Sequence, residues 1–459
     1  MTGSHSVARG IWTGVGSPSF PARALARGFR PFAKVDASES VSAAAMMIAA
    51  FLLLSAYYLL KTVREPLILL HGGAEVKLYA RAAQAVLMVG VVHVYGRIAR
   101  HVGRRKLLGI VFAFFVSNIV VFALLARANV SIGLPFFLWV GLFSYTCVAQ
   151  LWALAADIYS EDQGKRLFPI LGIGSSVGAV VGSRLARALV ASGPHALMWA
   201  AAALLVACVA LLAWVESRAG ATSRAKQDAA PEKPLSTEGV LHLLARDKYL
   251  VLVAVMIVLL NWCNSAGEYV FDRALLAAVG DAQSRGLTPE VFVGSVKADY
   301  FAWYNLLGML LQLFAVSRIL NKLGVRNALL FLPAFAFVGY AAAVAAPVLA
   351  VIRLVKIGEN ALEYSVAETS RHALYLVTSR VEKYVGKTSV DTISVRVGAI
   401  LSAAVVWIGG RVGLPIAGFA AINVVLSAAW IAVIMAIGRE HARRSGEPQT
   451  DLAAEPVTS

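Results

Sequence analysis

About twelve long apolar segments, each roughly 18–25 residues, follow one another along the chain and are separated by short loops rich in Lys and Arg. Because an α-helix rises 1.5 Å per residue, a segment of this length matches the ~30 Å hydrocarbon core of a bilayer. One chain with a dozen such segments cannot fold as a soluble domain. The pattern therefore predicts an all-α membrane protein with twelve transmembrane helices.

The predicted spans alternate with loops that are in turn rich and poor in basic residues. We expect the spans near 41–70, 79–96, 106–126, 134–158, 167–190, 194–215, 248–271, 299–316, 327–346, 347–377, 390–409 and 414–437. Cytoplasmic loops carry an excess of Lys and Arg. Both termini are therefore expected in the cytoplasm.

The composition shows where the function must lie. Hydrophobic residues make up 59% of the 459 residues and charged residues 15%, and the mean hydropathy is +0.71. Twelve helices of about 20 residues leave no room for a further soluble domain, so the function must lie among the helices.

The net charge of +16 would indicate a nucleic-acid partner in a soluble protein. Here the charge follows the positive-inside pattern, which indicates the lipid bilayer and no nucleic acid.

A polar linker at 216–247 divides the chain into a six-helix bundle at 41–215 and a second at 248–437, followed by a cytoplasmic tail at 438–459. Residues 1–40 are basic, and we favour a disordered cytoplasmic leader over an organellar transit peptide. The loops after the second and eighth spans are similar, with Gly103 aligned to Gly324. A duplicated six-helix unit is a common construction of transporters. We therefore expect two six-helix pseudo-repeats.

The loop after the second span also resembles a known signature. It contains Gly96, Gly103, Arg104 and Arg105 at the spacing of the Gly-x-x-x-Asp-Arg-x-Gly-Arg-Arg motif of the major facilitator superfamily. Arg100 stands where that motif has its Asp. The resemblance implies a major-facilitator-like fold. In that family the loop is part of a cytoplasmic gate with a charge relay, and the substitution at Arg100 removes the acidic residue of that relay.

Charged residues inside the spans are the strongest indication of a transport path. A Lys, Arg or Asp at the centre of a transmembrane helix costs about 2.5–3.5 kcal/mol on insertion scales, so such residues must face protein or water. The first span carries Lys61, Arg64 and Glu65. Lys61 and Arg64 at the end of that span could instead extend to the membrane interface.

The tenth span is the most polar of the twelve, and it includes Arg353, Lys356, Glu359 and Glu363. Lipid exposure of all its charges would cost on the order of 15 kcal/mol, more than a fold can absorb. They must line a cavity or pair across helices. A purely structural network of ion pairs is the alternative.

Several motifs together resemble the ATP/ADP translocase family of intracellular bacteria and plastids, a distant branch of the major facilitator superfamily. They are Leu60-Lys-Thr-Val-Arg-Glu-Pro-Leu-Ile followed by Gly73-Ala-Glu-Val, Asp157 followed by Gly164-Lys-Arg-Leu-Phe-Pro-Ile-Leu-Gly, Glu268, and Lys387-x-x-x-Asp391 with Gly398. The chain departs from the family at three positions. Arg64 replaces a transport lysine, Asp157 replaces a glutamate, and Ala399 replaces a lysine, which leaves Arg396 as the nearest cation.

The resemblance and the buried charges define the expected site. The residues expected along the substrate path are Lys61, Arg64, Glu65, Asp157, Glu268, Arg353, Lys356, Glu363 and Arg396. The residues expected in the cytoplasmic gate loops are Gly96, Gly103, Arg104, Arg105, Lys165, Arg166 and Gly324. We expect the path residues of both halves to line one water-accessible cavity.

These features predict a secondary transporter that exchanges nucleotides, or a related phosphorylated anion, across the inner membrane of a bacterium. The first alternative is a proton-coupled carrier of another small solute, and the second is a membrane scaffold that transports nothing. No phosphate-binding loop for ATP hydrolysis, zinc motif or nucleophile-base motif is present in the sequence. We therefore expect no enzyme activity, no cofactor and no metal.

Two smaller patterns indicate helix packing. Gly174, Gly178 and Gly182 recur at every fourth residue, which predicts a close contact between two membrane helices. The three cysteines lie apart within apolar segments without metal-binding spacing, and we expect them to be buried and unpaired.

Overall fold

The computed structural model describes residues 39–219, 248–374 and 387–445, together with Leu25, Val35 and Asp36. Over these residues the regular structure is helical, without a β-strand. Most of the expected leader 1–40 lies outside the described residues. Most of the linker 216–247 and residues 446–459 of the expected tail also lie outside them.

In the described part of the N-terminal half there are five long helices. They are α1 (Ser40–His101), α2 (Arg104–Arg127), α3 (Gly133–Ile158), α4 (Glu161–Leu189), which a 3₁₀ turn at Val190–Ser192 follows, and α5 (Pro194–Ala219). Helix α1 is interrupted at Gly73, where φ is 78° and ψ is 178°. A glycine has no Cβ and adopts this backbone without strain.

The C-terminal half contains the remaining helices. They are α6 (Lys248–Ala277), α7 (Val279–Ser284), α8 (Pro289–Phe314), α9 (Val316–Ala345), α10 (Leu349–Leu362), a π turn (Glu363–Ala367), α11 (Glu368–Leu374), α12 (Lys387–Arg411) and α13 (Ile416–Ser445). Helix α9 is interrupted at Gly324, with φ 75° and ψ 169°. Gly103, its counterpart in the repeat, has φ −58° and ψ 144°, so the two aligned glycines differ in backbone conformation.

Nine helices within the described ranges are long and apolar enough to cross a membrane, by length and composition. The first of them, Ser40–Ile98, has 59 residues and contains the break at Gly73. The prediction of an all-α membrane protein is confirmed, whereas the count of twelve spans stays a prediction.

The chain divides into two compact units. Unit 1 draws on Met1–Gly72, Ala83–Glu232 and Asp281–Leu306, and unit 2 draws on Gly73–Ala82, Lys233–Gly280 and Leu307–Ser459. Residues 73–82 therefore belong with most of the C-terminal half, and residues 281–306 belong with the N-terminal half. Because each unit includes a segment from the other sequence half, charged residues that are far apart in sequence can meet within one unit.

The core of unit 1 depends on a close packing of α4 against α1. A Cβ at Gly174 or Gly178 would overlap the carbonyl oxygen of Met47 or Phe51, and one at Gly182 would lie 2.6 Å from the Ser55 backbone. The predicted close contact along this glycine stripe is confirmed. Glycine is required here because any side chain would push the two backbones apart.

In unit 2, α6 packs against α12 and α13, and α13 also packs against α9. The three cysteines of the chain, one in unit 2 and two in unit 1, are buried and free, as predicted. They are Cys147, Cys208 and Cys263.

Candidate functional site

The first candidate feature, in unit 1, is an aromatic cage around the ammonium group of Lys61. The Lys61 Nζ lies 4.6 Å from the ring centroid of Phe301, 5.0 Å from Tyr58, 5.5 Å from Tyr304 and 5.7 Å from Tyr57. A cation over aromatic faces is stabilised by their quadrupoles, and desolvation increases the effect. The cage therefore offers favourable contacts to a cation within a membrane-spanning helix.

A chain of hydrogen bonds fixes the position of Lys61. Its Nζ donates to the Tyr304 hydroxyl at 2.8 Å, and the Tyr58 hydroxyl lies 3.0 Å from that of Tyr304. Tyr58 donates to Asn305 Oδ1 at 3.0 Å, and this bond uses its only proton. Tyr304 must then donate to Tyr58. Each hydrogen bond in this series is thus donated in the direction that leads away from Lys61.

One helical turn further along α1, unit 1 contains a buried ionic cluster centred on Glu65. Arg64 Nε lies 3.1 Å from Glu65 Oε1, and Lys297 Nζ lies 3.5 Å from Glu65 Oε2. Lys297 is fully buried. The Arg64 guanidinium also lies 4.7 Å from the Phe137 ring centroid. The structure therefore brings the predicted Arg64 and Glu65 together with a lysine that sequence reasoning did not single out.

Unit 2 contains a second buried cluster around Lys77. Its Nζ lies 2.7 Å from Asp272 Oδ2 and 3.5 Å from Glu268 Oε1. Glu268 and Asp272 are four residues apart on α6 and share one face of that helix. Together with Arg81 and Ser265, these side chains line one crevice of unit 2.

Unit 2 also contains another group of polar residues, which we call the Lys356 network. It comprises Asn264, Tyr340, Lys356, Glu359 and Glu363. Lys356 Nζ lies 2.8 Å from Glu359 Oε2 and donates to the Asn264 carbonyl oxygen at 3.3 Å. Tyr340 donates to the same Glu359 oxygen at 2.6 Å. Asn264 Nδ2 donates to Glu363 through a short hydrogen bond.

The remaining predicted path residues are less enclosed. Asp157 is exposed near the end of α3, and Arg353 on α10 and Arg396 on α12 are half-buried. The expectation that the charges of both sequence halves line one cavity stays a prediction.

The predicted gate residues lie at helix ends and breaks. Gly96 lies in the last part of α1, Gly103 precedes α2, Arg104 and Arg105 begin α2, and Gly324 breaks α9. Lys165 is exposed on α4. Arg166 donates to Glu39 Oε1 at 3.1 Å, and Gln163 donates to the same oxygen at 2.8 Å.

The same end of unit 1 contains a buried tyrosine. Burial raises the pKa of Tyr159 to about 12, and the nearby Glu39 carboxylate adds to this effect. The Tyr159 hydroxyl therefore stays protonated and neutral over the physiological range. Next to the start of α1 it therefore contributes to packing.

Sequence reasoning missed Lys77 and Lys297. Lys77 lies just before the predicted span 79–96, and Lys297 lies just before the predicted span 299–316. A signal for Lys77 was available, because the carboxylates of Glu268 and Asp272 share one helix face inside an apolar segment and require a nearby cation. Lys297 had no such signal, since its partner Glu65 is remote in sequence.

The chemistry available in these clusters is binding of ions, not bond cleavage. Buried ammonium and guanidinium groups can bind phosphate or carboxylate oxygens. Buried carboxyl groups can take up a proton. Alternation between such states is the chemistry of a secondary transporter.

Comparison with known proteins agrees with this interpretation. The family model of the Major Facilitator Superfamily matches residues 40–368. A comparison with curated protein sequences found no significant match.

Solved structures with the same fold include transporters. The nucleoside transporter NupG has a TM-score of 0.62 at 11% identity, with 86% of this chain and 98% of that chain covered. A POT family transporter in complex with 5-aminolevulinic acid has a TM-score of 0.61 at 12% identity and covers 88% of this chain and 96% of its own. A bacterial homologue of the lysosomal transporter Spinster has a TM-score of 0.53 at 12% identity, with 89% and 97% covered.

At these identities the structural likeness shows the fold alone. The resemblance to the ATP/ADP translocases therefore stays a prediction. The family model, however, covers well over half of the residues. The chain belongs to the Major Facilitator Superfamily and is a multi-pass membrane transporter.

Proposed function

We propose that this transporter exchanges nucleotides, or a related phosphorylated anion, by alternating access and without hydrolysing ATP. The observation that carries the proposal is the concentration of cationic side chains in unit 1, where Arg64 and Lys297 are buried and Lys61 is half-buried. Lys61 and Arg64 lie within one turn of each other on α1, and Lys297 contacts Glu65 of the same helix. Charges this deep in a membrane protein are costly and are retained mainly for transport.

The chemistry of these groups fits phosphate. A guanidinium matches phosphate geometry with two parallel hydrogen bonds, and an ammonium supplies a compact point charge. Phosphate groups carry roughly −1.5 to −2 charges at pH 7 and need several cations. The aromatic rings around Lys61 add surfaces suited to a planar base. The fold likeness to a nucleoside transporter is compatible with such a solute.

We further propose that both termini face the cytoplasm and that the protein resides in the inner membrane of a bacterium. The basis is the alternation of basic loops, because Lys and Arg resist translocation.

The proposed exchange is tested in proteoliposomes that are loaded with ADP or left empty inside. Labelled ATP, ADP, inorganic phosphate and an uncharged nucleoside are offered outside, with protein-free liposomes as the control. We expect uptake of a phosphorylated compound, with strong dependence on internal nucleotide.

A proton-coupled carrier of an uncharged solute is the second candidate, and the carboxyl groups of the buried Glu268 and the half-buried Glu363 favour it. Nucleoside uptake driven by a pH gradient, together with no uptake of phosphorylated compounds, would replace the first proposal by this one. No transport of any solute under either gradient would favour the scaffold.

A further inference from the structure

Helix α9 begins with a short amphipathic segment that ends at the break at Gly324. On one face of this segment, Ile319 and Leu320 pack on a small apolar cluster of unit 2. Arg318 and Lys322, four residues apart, are exposed on the other face. A segment that is apolar on one face and basic on the other is typical of a helix at the membrane surface.

Just after the break, Arg326 lies against helix α13. A Cβ at Gly438 would overlap the Cδ of Arg326 and would lie 2.6 Å from its Nε. The absence of a side chain at Gly438 therefore provides the space that the stem of Arg326 fills. This packing holds the guanidinium group between the start of α9 and the last turns of α13.

The guanidinium group of Arg326 lacks an acceptor for one of its donors. Its Nε is buried and has no hydrogen-bond partner among the described residues. A buried N–H without an acceptor is costly, and folded proteins usually satisfy such a group with protein, water or an ion. An arginine without a protein partner therefore indicates a place where an external anion can bind.

Three further cations belong to the same part of unit 2. Arg318 and Lys322 precede Arg326 on α9, and Arg439 follows Gly438 on α13. All three are exposed. Within the described ranges, neither these three side chains nor Arg326 forms an ion pair.

Two carboxylates on helices that pack against α9 are engaged with other cations. Glu440 on α13 lies 3.3 Å from Arg443, and Glu368 on α11 lies 2.6 Å from Arg371. Helix α9 packs against both of these helices. The basic side chains of α9 and the adjacent Arg439 therefore keep their positive charge for a partner outside the protein.

Exposed apolar side chains flank these cations. Phe314, which ends α8, is 59% exposed, and Leu323 is 45% exposed. In a bilayer such side chains contact acyl chains, and the phosphate groups of the lipids lie just beyond the acyl chains. A phospholipid therefore supplies both an anion for the cations and an acyl chain for the apolar side chains. A free phosphate supplies only the anion.

We propose that four cations of unit 2 form a binding site for the headgroup phosphate of an anionic phospholipid. They are Arg318, Lys322, Arg326 and Arg439. Arg326 is the central contact, because its stem is fixed against Gly438 and a guanidinium forms two parallel hydrogen bonds with phosphate. Basic pockets between membrane helices bind such headgroups on the cytoplasmic side, where the basic loops of this chain are expected.

Native mass spectrometry of the full-length protein in detergent, without substrate, tests the proposal. Phosphatidylglycerol is titrated into the protein, and the zwitterionic phosphatidylcholine with the same acyl chains serves for comparison. We expect tighter binding of phosphatidylglycerol and about a fivefold loss of its affinity in Arg326→Gln, which is the effect of one cation near an anionic surface. Arg218→Gln removes the same charge from an exposed position on α5 of unit 1 and should leave this affinity unchanged.

A second variant separates the position of Arg326 from its charge. In Gly438→Ala the methyl group should displace the Arg326 side chain while the net charge stays the same. The affinity for phosphatidylglycerol should therefore fall as it does in Arg326→Gln. Thermal unfolding of each variant verifies its fold, and Lys322→Gln, at an exposed position, provides the charge variant if Arg326→Gln fails to fold.

Three results would overturn the assignment. They are equal affinity for the two lipids, an unchanged affinity for phosphatidylglycerol in either the charge variant or Gly438→Ala, and displacement of phosphatidylglycerol by excess glycerol 3-phosphate. The last result would assign the cations to a free phosphate instead of a lipid. Because no transported substrate is present, the outcome is independent of whether the protein exchanges nucleotides.

Discussion

Lys77 and Asp272 form a buried ion pair with 2.7 Å between Nζ and Oδ2, and both side chains are 2% exposed. The two residues are far apart in sequence, yet both belong to unit 2, because residues 73–82 are grouped with α6. Glu268 lies 3.5 Å from the same ammonium group. One lysine thus contacts two carboxylates in an apolar environment.

Replacing Lys77 by Met should therefore destabilise the protein strongly, because two buried carboxylates lose a cation that contacts both of them. Breaking a buried pair in this way costs about 3–5 kcal/mol. Thermal unfolding of the purified protein in detergent measures the effect.

The exposed Lys322 provides the matched control, and Lys322→Met should leave the unfolding midpoint nearly unchanged. Adding Asp272→Asn to Lys77→Met should recover part of the loss, because one of the two carboxylates that lost the Lys77 ammonium group no longer carries a charge. Equal stability of Lys77→Met and the wild type would show that the pair does not stabilise the fold.

The glycine stripe of α4 gives a second prediction. Gly178→Val should destabilise unit 1 by about 1–3 kcal/mol or more, because the side chain would overlap the Phe51 backbone. Gly172 on the same helix has open space at its Cβ position, so Gly172→Ala should be neutral or stabilising by up to ~1 kcal/mol. The thermal unfolding midpoints of the two variants, measured side by side, test this difference in stability. A larger loss in the Gly172 variant would contradict the packing of α4 on α1.

The contrast between the glycine stripe and Lys297 shows what sequence can predict here. The stripe is a local pattern on one helix, and glycine spacing has one common cause in membranes. The apolar segments are likewise local, so the helical membrane class followed from them directly. The partners of Glu65 and Asp272 come from remote segments that cross between the sequence halves, and no local pattern encodes which lysine fills each position. Sequence reasoning therefore singled out some of the charged residues that the structure buries, such as Arg64, Glu65 and Lys356, but neither Lys77 nor Lys297, and it did not predict how the charges pair.

Membrane orientation can be checked by thiol labelling, because the natural cysteines are all buried. A cysteine at Ala229, in the linker, should be shielded from an impermeant thiol reagent in intact cells. A cysteine at Ser284, which is exposed in α7, should be labelled, because the loops poor in Lys and Arg are expected outside. Permeabilised cells provide the control in which both positions react. Labelling at Ala229 as strong as at Ser284 in intact cells would reverse the proposed topology.

The last prediction concerns Arg64, which combines charge with a planar fork next to Glu65 and Phe137. If it binds a phosphate group of the substrate, Arg64→Gln should lower substrate binding at least tenfold, which corresponds to about 1.4 kcal/mol. Arg64→Lys should retain part of the binding, since lysine keeps the charge but loses the two parallel hydrogen bonds. Binding is measured by titration of the purified protein with ATP and ADP, and exchange is measured in the proteoliposomes described above.

The exposed Arg187, 3.5 Å from Asp299, offers a matched control in the same unit. Arg187→Gln removes an equal charge from an exposed pair, which contributes only about 0–1 kcal/mol to stability. Its binding and exchange should therefore remain close to those of the wild type. A graded loss from Arg64→Lys to Arg64→Gln, absent in Arg187→Gln, would identify a specific contact instead of a general effect of net charge. Unchanged exchange in Arg64→Gln would remove Arg64 from the substrate path and leave Lys61 and Lys297 as the remaining candidates for the anion site.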